Sequence, residues 1–287
     1  MPLVGSDLLL DARSQRSGVG AFNVVGMEHA EALVTGAESA GSPVVLQISQ
    51  NAARYHGGLA PIGLATLAIA RRATVPVVVH LDHATDAALI EEAVELGFTS
   101  IMYDGSALDH AENVARTADV TRRAHTAGVW VEAELGEVGG KDGAHAPGVK
   151  TDPIEAAEFV AATRVDALAV AVGSSHAMAE RTAALDLDRI AQIASVVTVP
   201  LVLHGSSGVP DDIIGAGVLA GLTKINVSTH LNKVFTAALR EQLAADPAAV
   251  DPRTYLGVAR QVLAAEVARL IAVIAGRSGA TTERHWT

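Results

Sequence analysis

Short runs of β-branched and aliphatic residues recur along the chain, and Ala-rich stretches with apolar residues every three or four positions fall between most of them. Strands are predicted at residues 20–24, 44–48, 77–81, 100–103, 129–134, 167–172, 201–203 and 223–227. Amphipathic helices are predicted at 28–40, 86–96, 113–127, 154–163, 187–195 and 211–219. The strand runs are apolar almost without interruption, as in a parallel sheet covered on both faces, and strands alternating with helices make parallel βαβ units. Eight such units favour a closed (β/α)8 TIM barrel over an open sheet. The third and seventh strands share an entry and an exit: Val75-Pro76 leads to His80, and Val199-Pro200 leads to His204. A proline at a strand's first position costs no ladder hydrogen bond that the sheet needs.

Two stretches break the rhythm. Residues 136–153 are Gly-rich and charged with no period, and a long loop in a compact fold is usually functional, so an active-site lid is expected there. Residues 252–275 read as an extra C-terminal helix beyond the eighth unit, packed across the barrel or against a partner subunit. No linker or shift in composition divides the chain, which is read as one domain over residues 1–287. Aromatic residues are 3% of the chain against 49% hydrophobic, so Ala, Val, Leu and Ile must build the core.

Charge and cysteine usage then remove whole classes of function. The formal net charge is −11 and no basic run exceeds pairs such as Arg71–Arg72, which excludes a nucleic-acid surface. A phosphorylated small molecule stays compatible, because a few backbone N–H groups hold a phosphate against an unfavourable net charge. There is no cysteine, so disulfides, thiolate catalysis and Cys-ligated zinc are excluded, which fits a reducing compartment. Residues 1–11 carry Asp7 and Asp11 in place of a basic leader, and no apolar run reaches the ~20 residues of a membrane span. The expectation is a soluble cytoplasmic protein with no membrane partner.

Barrel chemistry sits at the C-terminal ends of the strands. The polar residues predicted there are Asn23, Ser49, Asp82, His83, Asp104, Glu134, His176, His204 and Asn226. Three of the eleven histidines therefore follow strands three, six and seven. A lone histidine at a strand end is more often a capping or hydrogen-bonding residue. Three beside carboxylates match the arrangement of a catalytic zinc with an open position. Spacing alone leaves both readings standing, because ligands scattered over a fold carry no local signature. A Schiff base would need a lysine inside the barrel. Of Lys141, Lys150, Lys224 and Lys233, Lys224 has the parity of Asn226, but it stands at the strand's N-terminal end, away from the reactive one.

An ordered set of motifs narrows the choice. His80-Leu81-Asp82-His83 is similar to the HLDH motif of class II fructose-bisphosphate and tagatose-bisphosphate aldolases. In the same order follow matches at 21–24, 100–106, 132–136 with Gly139-Gly140, 173–176, 203–208 and 224–229. The resemblance covers about residues 1–275. It implies a metal-dependent aldolase that reversibly cleaves a ketose 1,6-bisphosphate to dihydroxyacetone phosphate and an aldehyde. It implies that His83, His176 and His204 hold a catalytic Zn2+ and that Asp82 transfers the proton of the C4 hydroxyl. Asp104 and Glu134 resemble the carboxylates of a second, more buried metal position, with support of the histidines as their other reading; a monovalent cation near the phosphate is the alternative second ion. Asn23 and Ser49 resemble substrate contacts. Ala177, Gly205, Ser206, Ser207, Asn226, Val227, Ser228 and Thr229 stand in the segments that resemble phosphate-binding loops. A homodimer or homotetramer is the implied assembly.

Four departures bear on substrate. The family's usual His-Gly-x-Tyr-Lys is here His176-Ala177-Met178-Ala179-Glu180, with Arg181 next; its Gly-Gly-x-Glu-Asp is Gly139-Gly140-Lys141-Asp142; its Thr-Asp is Thr229-His230; and its C-terminal Gly-Ser-x-x-Arg is Gly276-Arg277-Ser278-Gly279-Ala280. These changes point to an aldolase with a different, monophosphorylated substrate as the alternative. A zinc hydrolase on a barrel and a sugar-phosphate binder without turnover are the remaining rivals. Retention of Asp82, which a binder does not need, counts against the last.

Overall fold

The computed structural model describes residues 3–135, 150–175 and 180–276. Eight parallel strands close into a barrel in sequence order: β1 (Val19–Asn23), β2 (Val44–Ser49), β3 (Val77–Ala84), β4 (Ser100–Tyr103), β5 (Trp130–Leu135), β6 (Ala167–Val170), β7 (Leu201–Leu203) and β8 (Leu222–Val227). Pro76 and Pro200 directly precede β3 and β7, and their carbonyls accept from Val44 and Leu168 (3.1 and 3.0 Å). The sixth strand stops at Val170, two residues short of expectation. Beyond it Thr151 takes over the ladder: its N–H donates to Ala171 O (3.0 Å), and its hydroxyl joins Ala171 N to Leu135 O (both 2.8 Å).

The outer wall comprises α2 (Met27–Ala40), α4 (Leu59–Ala70), α5 (Ala87–Leu96), α6 (His110–Thr126), α7 (Pro153–Thr163), α8 (Leu187–Val196), α9 (Asp211–Ala220) and α10 (Thr229–Ala245). Side-chain N-caps start several of these helices: Asp86 at α5, Asp109 at α6, Asp152 at α7 and Asp186 at α8 each accept from backbone N–H groups of the first turn. Most of the apolar core lies between strands and helices, as two-layer packing requires. Sequence periodicity did not indicate α3 (Gln50–Tyr55) or α4. The α4 segment, Leu59-Ala-Pro-Ile-Gly-Leu-Ala-Thr-Leu-Ala-Ile-Ala70, is apolar nearly all round and so has no amphipathic signal.

The barrel interior is a separate, smaller core. Val19, Ala21, Val45 and Val78 pack at its N-terminal mouth against Leu9 of α1 (Leu8–Ser14), which closes that end. The extra helix α11 (Pro252–Ile274) lies outside, along α2 and α10, so it does not cross the barrel. Gly36 of α2 permits that packing: a Cβ there would stand 2.6 Å from Ala264 O and 2.7 Å from Val267 Cβ. Among the described residues no helix is long and apolar enough to cross a membrane.

Candidate active site

One local irregularity shapes the mouth of the barrel. Strand β3 pairs regularly with β2 up to Ser49 opposite Asp82, but against β4 the register steps from Leu81–Ile101 to Ala84–Tyr103. Two residues of β3, Asp82 and His83, therefore stand opposite one of β4, Met102, which is a β-bulge. His83 within it has φ of +50°, in the left-handed region that only a few per cent of non-glycine residues adopt. Adjacent residues of a regular strand point to opposite faces. Here Asp82 and His83 both reach the mouth: Asp82 Oδ2 accepts from Asn23 Nδ2 of β1 (3.2 Å), and His83 Nε2 is 2.9 Å from His204 Nδ1 just after β7. Strain of this kind clusters at functional sites.

The carboxylates around the two imidazoles are ordered by hydrogen bonds. Asp104, after β4, accepts from His83 Nδ1 (2.9 Å) through one oxygen, and from the Ser106 hydroxyl (2.6 Å) and amide (3.2 Å) through the other. Glu132 of β5 accepts from His204 Nε2 (2.8 Å). Glu134, two residues on and on the same face, brings Oε2 to 3.6 Å from His204 Nδ1. Asn23 in turn accepts from Gln47 Nε2 of β2 (3.3 Å). Asp82 Oδ1 is buried and has no hydrogen-bond partner among the described residues.

Electrostatics keep the groups in distinct states. Burial alone would raise the Asp82 carboxyl, but positive charge at His83 and His204, together with Lys224, holds it well below the usual carboxylate range. His80 moves the other way, to about 3, through burial and the charges of Lys224 and His204 against the pull of Glu132 and Asp82. Its ring bonds Ser100 Oγ (2.8 Å), so this histidine is a structural, neutral member of the interior.

The fit of this cluster to a cation follows from counting protons. A neutral imidazole has one N–H and a carboxylate only accepts. His83 therefore gives its Nδ1–H to Asp104, and His204 its Nε2–H to Glu132. The remaining nitrogens, 2.9 Å apart, both present lone pairs. Lone pairs at that distance repel unless a positive charge is shared between them. Ligand atoms of Asp82, His83 and His204, and of His83, Asp104 and Glu134, lie within 4.8 Å of one another. Imidazole nitrogens with carboxylate oxygens suit a borderline divalent ion, so the residues present fit one.

The loops after β7 and β8 meet beside this cluster. Gly205 has φ of +67° and starts a short turn, Ser206–Gly208. The Ser206 hydroxyl donates to Asn226 O, tying the two loops together. Ser207 Oγ accepts from the amides of Ser228 (3.4 Å) and His230 (3.2 Å) at the start of α10, whose first residue is Thr229. Asn226 Oδ1 is buried without a hydrogen-bond partner among the described residues. The Val227 side chain sits in the strand–helix core, which leaves only its backbone to the site. Ser49 caps α3 by accepting from Ala52 N (3.1 Å).

Two of the departures acquire a structural account. The His230 ring turns to Glu266 of α11 (2.6 Å). Arg181 bonds Val209 O (2.9 and 2.6 Å) and Asp211, and Asp211 also binds Arg269. Both side chains are thus engaged within the fold. His176, Ala177, the 139–142 motif and Arg277–Ala280 lie outside the described residues. Lys224 is fully buried and its Nζ donates to Glu132 Oε2 (2.8 Å), so it is not a reactive amine. Glu132 is the residue that reading strand ends missed. Its parity with Glu134, on the same inward face of β5, was the available signal.

A parallel eight-stranded barrel with imidazoles, a deprotonated carboxylate and a Ser/Gly-rich loop pair at its C-terminal mouth defines an enzyme of metal-assisted polar chemistry. Comparison with known proteins narrows the class. The family model described as fructose-bisphosphate aldolase class-II matches residues 5–279. The probable fructose-bisphosphate aldolase of Bacillus subtilis strain 168 is 42% identical over 92% of this chain and 94% of its own. The fructose-bisphosphate aldolase of Thermus caldophilus is 40% identical over the same shares. The crystal structure of the YdjI aldolase of Escherichia coli K12 superposes with a TM-score of 0.82 at 29% identity, over 96% of this chain and 100% of that one. The chain belongs to the class II fructose-bisphosphate aldolase family, a generally metal-dependent group of carbon–carbon lyases acting on sugar phosphates.

Proposed function

We propose that this aldolase, a single barrel domain, cleaves and forms the C3–C4 bond of fructose 1,6-bisphosphate or its tagatose epimer, with Zn2+ held by His83, His204 and His176. The observation that carries the reading is the pair of imidazole nitrogens facing each other at 2.9 Å, each ring already giving its proton to a carboxylate. The bound ion supplies Lewis-acid stabilisation of the negative charge that builds on the ketone half of the substrate. Asp82 takes the proton of the C4 hydroxyl in cleavage and returns it to the aldehyde oxygen in condensation. Its depressed pKa keeps it deprotonated at neutral pH, and the Asn23 bond fixes Oδ2 so that Oδ1 is the atom offered. The amides and hydroxyls of residues 205–207 and 226–229 receive a phosphate, and Ser49 the far part of the sugar. Asp104 supports His83, and Glu134 adjoins a second cation position. The working form is a cytoplasmic homodimer or homotetramer.

A second reading, a substrate with one phosphate, is favoured by the engagement of Arg181 and His230 with internal carboxylates. Cleavage of fructose 1,6-bisphosphate, tagatose 1,6-bisphosphate and fructose 1-phosphate, followed by triose-phosphate release, separates the readings. Activity abolished by a chelator and restored by zinc is expected, with a bisphosphate fastest. Chelator-insensitive cleavage would refute the metal mechanism, and preference for fructose 1-phosphate would select the second reading.

A further inference from the structure

Beneath the mouth the barrel interior contains an ion pair that stands directly behind His204. Glu132 and Lys224 are 2% and 1% exposed, on β5 and β8, and are joined at 2.8 Å. The second carboxylate oxygen meets His204 Nε2 at 2.8 Å, and His204 is itself fully buried. A buried ion pair contributes little to stability, since desolvation of both charges offsets their attraction, and apolar replacements of similar volume are commonly neutral or stabilising. What this pair does provide is direction. A carboxylate against Nε2 forces the proton onto that nitrogen, because the other tautomer would set a lone pair against an anion at 2.8 Å. The lone pair of His204 is then confined to Nδ1, the nitrogen 2.9 Å from His83 Nε2. Lys224 holds the other carboxylate oxygen, so Glu132 can neither rotate away nor stand as an uncompensated charge. Asp104 accepts from His83 Nδ1 in the same way, with the Ser106 hydroxyl and amide on its other oxygen.

We propose that Glu132 and Lys224 form a positioning couple that fixes the tautomer and ring orientation of His204 and thereby sets metal affinity. The inference rests on the reading of His204 as a metal ligand. It is tested by titrating zinc into metal-free full-length protein against a competing chelator, for wild type, Glu132→Gln and the double variant Glu132→Leu with Lys224→Met. The double variant removes both charges of the pair and keeps the volume, so it serves if the single change does not accumulate. Both are expected to keep the wild-type far-ultraviolet circular dichroism and to bind zinc about 10–100-fold more weakly, the usual consequence of losing a carboxylate behind a ligating histidine. In 15N-histidine-labelled metal-free protein, the His204 signal should report Nε2–H in wild type and lose that single tautomer in the variants. A folded variant with wild-type zinc affinity and an unchanged tautomer would overturn the couple. Wild type that binds no stoichiometric zinc would instead overturn the metal reading itself.

Discussion

Replacing Gly36 by Ala sets two opposed effects against each other at one buried position. Alanine in a helix interior is better than glycine by about 1 kcal/mol. The new methyl, however, would stand 2.6 Å from the Ala264 carbonyl oxygen and 2.7 Å from Val267 Cβ and Cγ1. Neither neighbour can yield cheaply: one is backbone, and the other is a fully buried β-branched side chain. Overpacking of this sort costs about 1–3 kcal/mol, with contacts this close falling toward the upper end, so the net effect is about 1–2 kcal/mol of destabilisation. An unfolding entropy of about 2.1 cal/mol/K per residue makes that a fall in Tm of roughly 2–3 °C. The control is Gly215 in α9, where an added Cβ meets nothing within 4 Å and propensity alone acts. Gly215→Ala should raise Tm by about 1–2 °C. Thermal unfolding of both variants and wild type, followed by circular dichroism at one scan rate and protein concentration, reads the two signs. A Gly36→Ala protein as stable as wild type would refute the claim that close approach of α11 to α2 dictates glycine there.

Asp82→Asn keeps the shape of the side chain but not the base, so kcat should fall about 10²–10⁴-fold while bound zinc stays stoichiometric; a fall of less than tenfold would sink the assignment of the proton transfer to Asp82. Asp104→Asn should weaken zinc binding about 10–100-fold by releasing the His83 ring, measured by chelator competition. Burial would raise the Glu266 carboxyl, but its hydrogen bonds to Arg269 and His230 bring it from the ordinary 4.5 down to about 2. A folded-state value below the unfolded one contributes stability above about pH 4.5 that is lost as pH falls toward 2. Glu266→Gln should therefore lower Tm at pH 7, and the gap to wild type should narrow between pH 4.5 and 3.5; a constant gap over that range contradicts the assignment.

The architecture was legible because local signals agreed. Eight apolar runs bounded by turns, with the prolines at 76 and 200, specify where strands begin without reference to anything distant. Where the local signal is absent, reading failed: α4 is apolar all round, and α1 is too short to announce itself as the plug of the barrel floor. Strand-end residues Asn23, Asp82, His83, Asp104 and His204 were legible as a set, because parallel strands in register bring their C-terminal ends to one mouth. Their roles were not. Alternation along a strand puts Asp82 and His83 on opposite faces, and only the bulge, a mismatch of register between β3 and its two neighbours, turns both into the mouth. Which nitrogen of His204 faces His83 depends on Glu132 and Lys224, 72 and 20 residues away in the chain. Sequence by itself determined the eight strands, most of the helices between them, their order and the inventory of chemical groups, since these depend on short-range periodicity and residue type. Tertiary structure alone decided which groups share a hydrogen bond and which nitrogen of His204 faces His83, since hydrogen bonds across a closed barrel join residues whose separation along the chain carries no information about their distance in space.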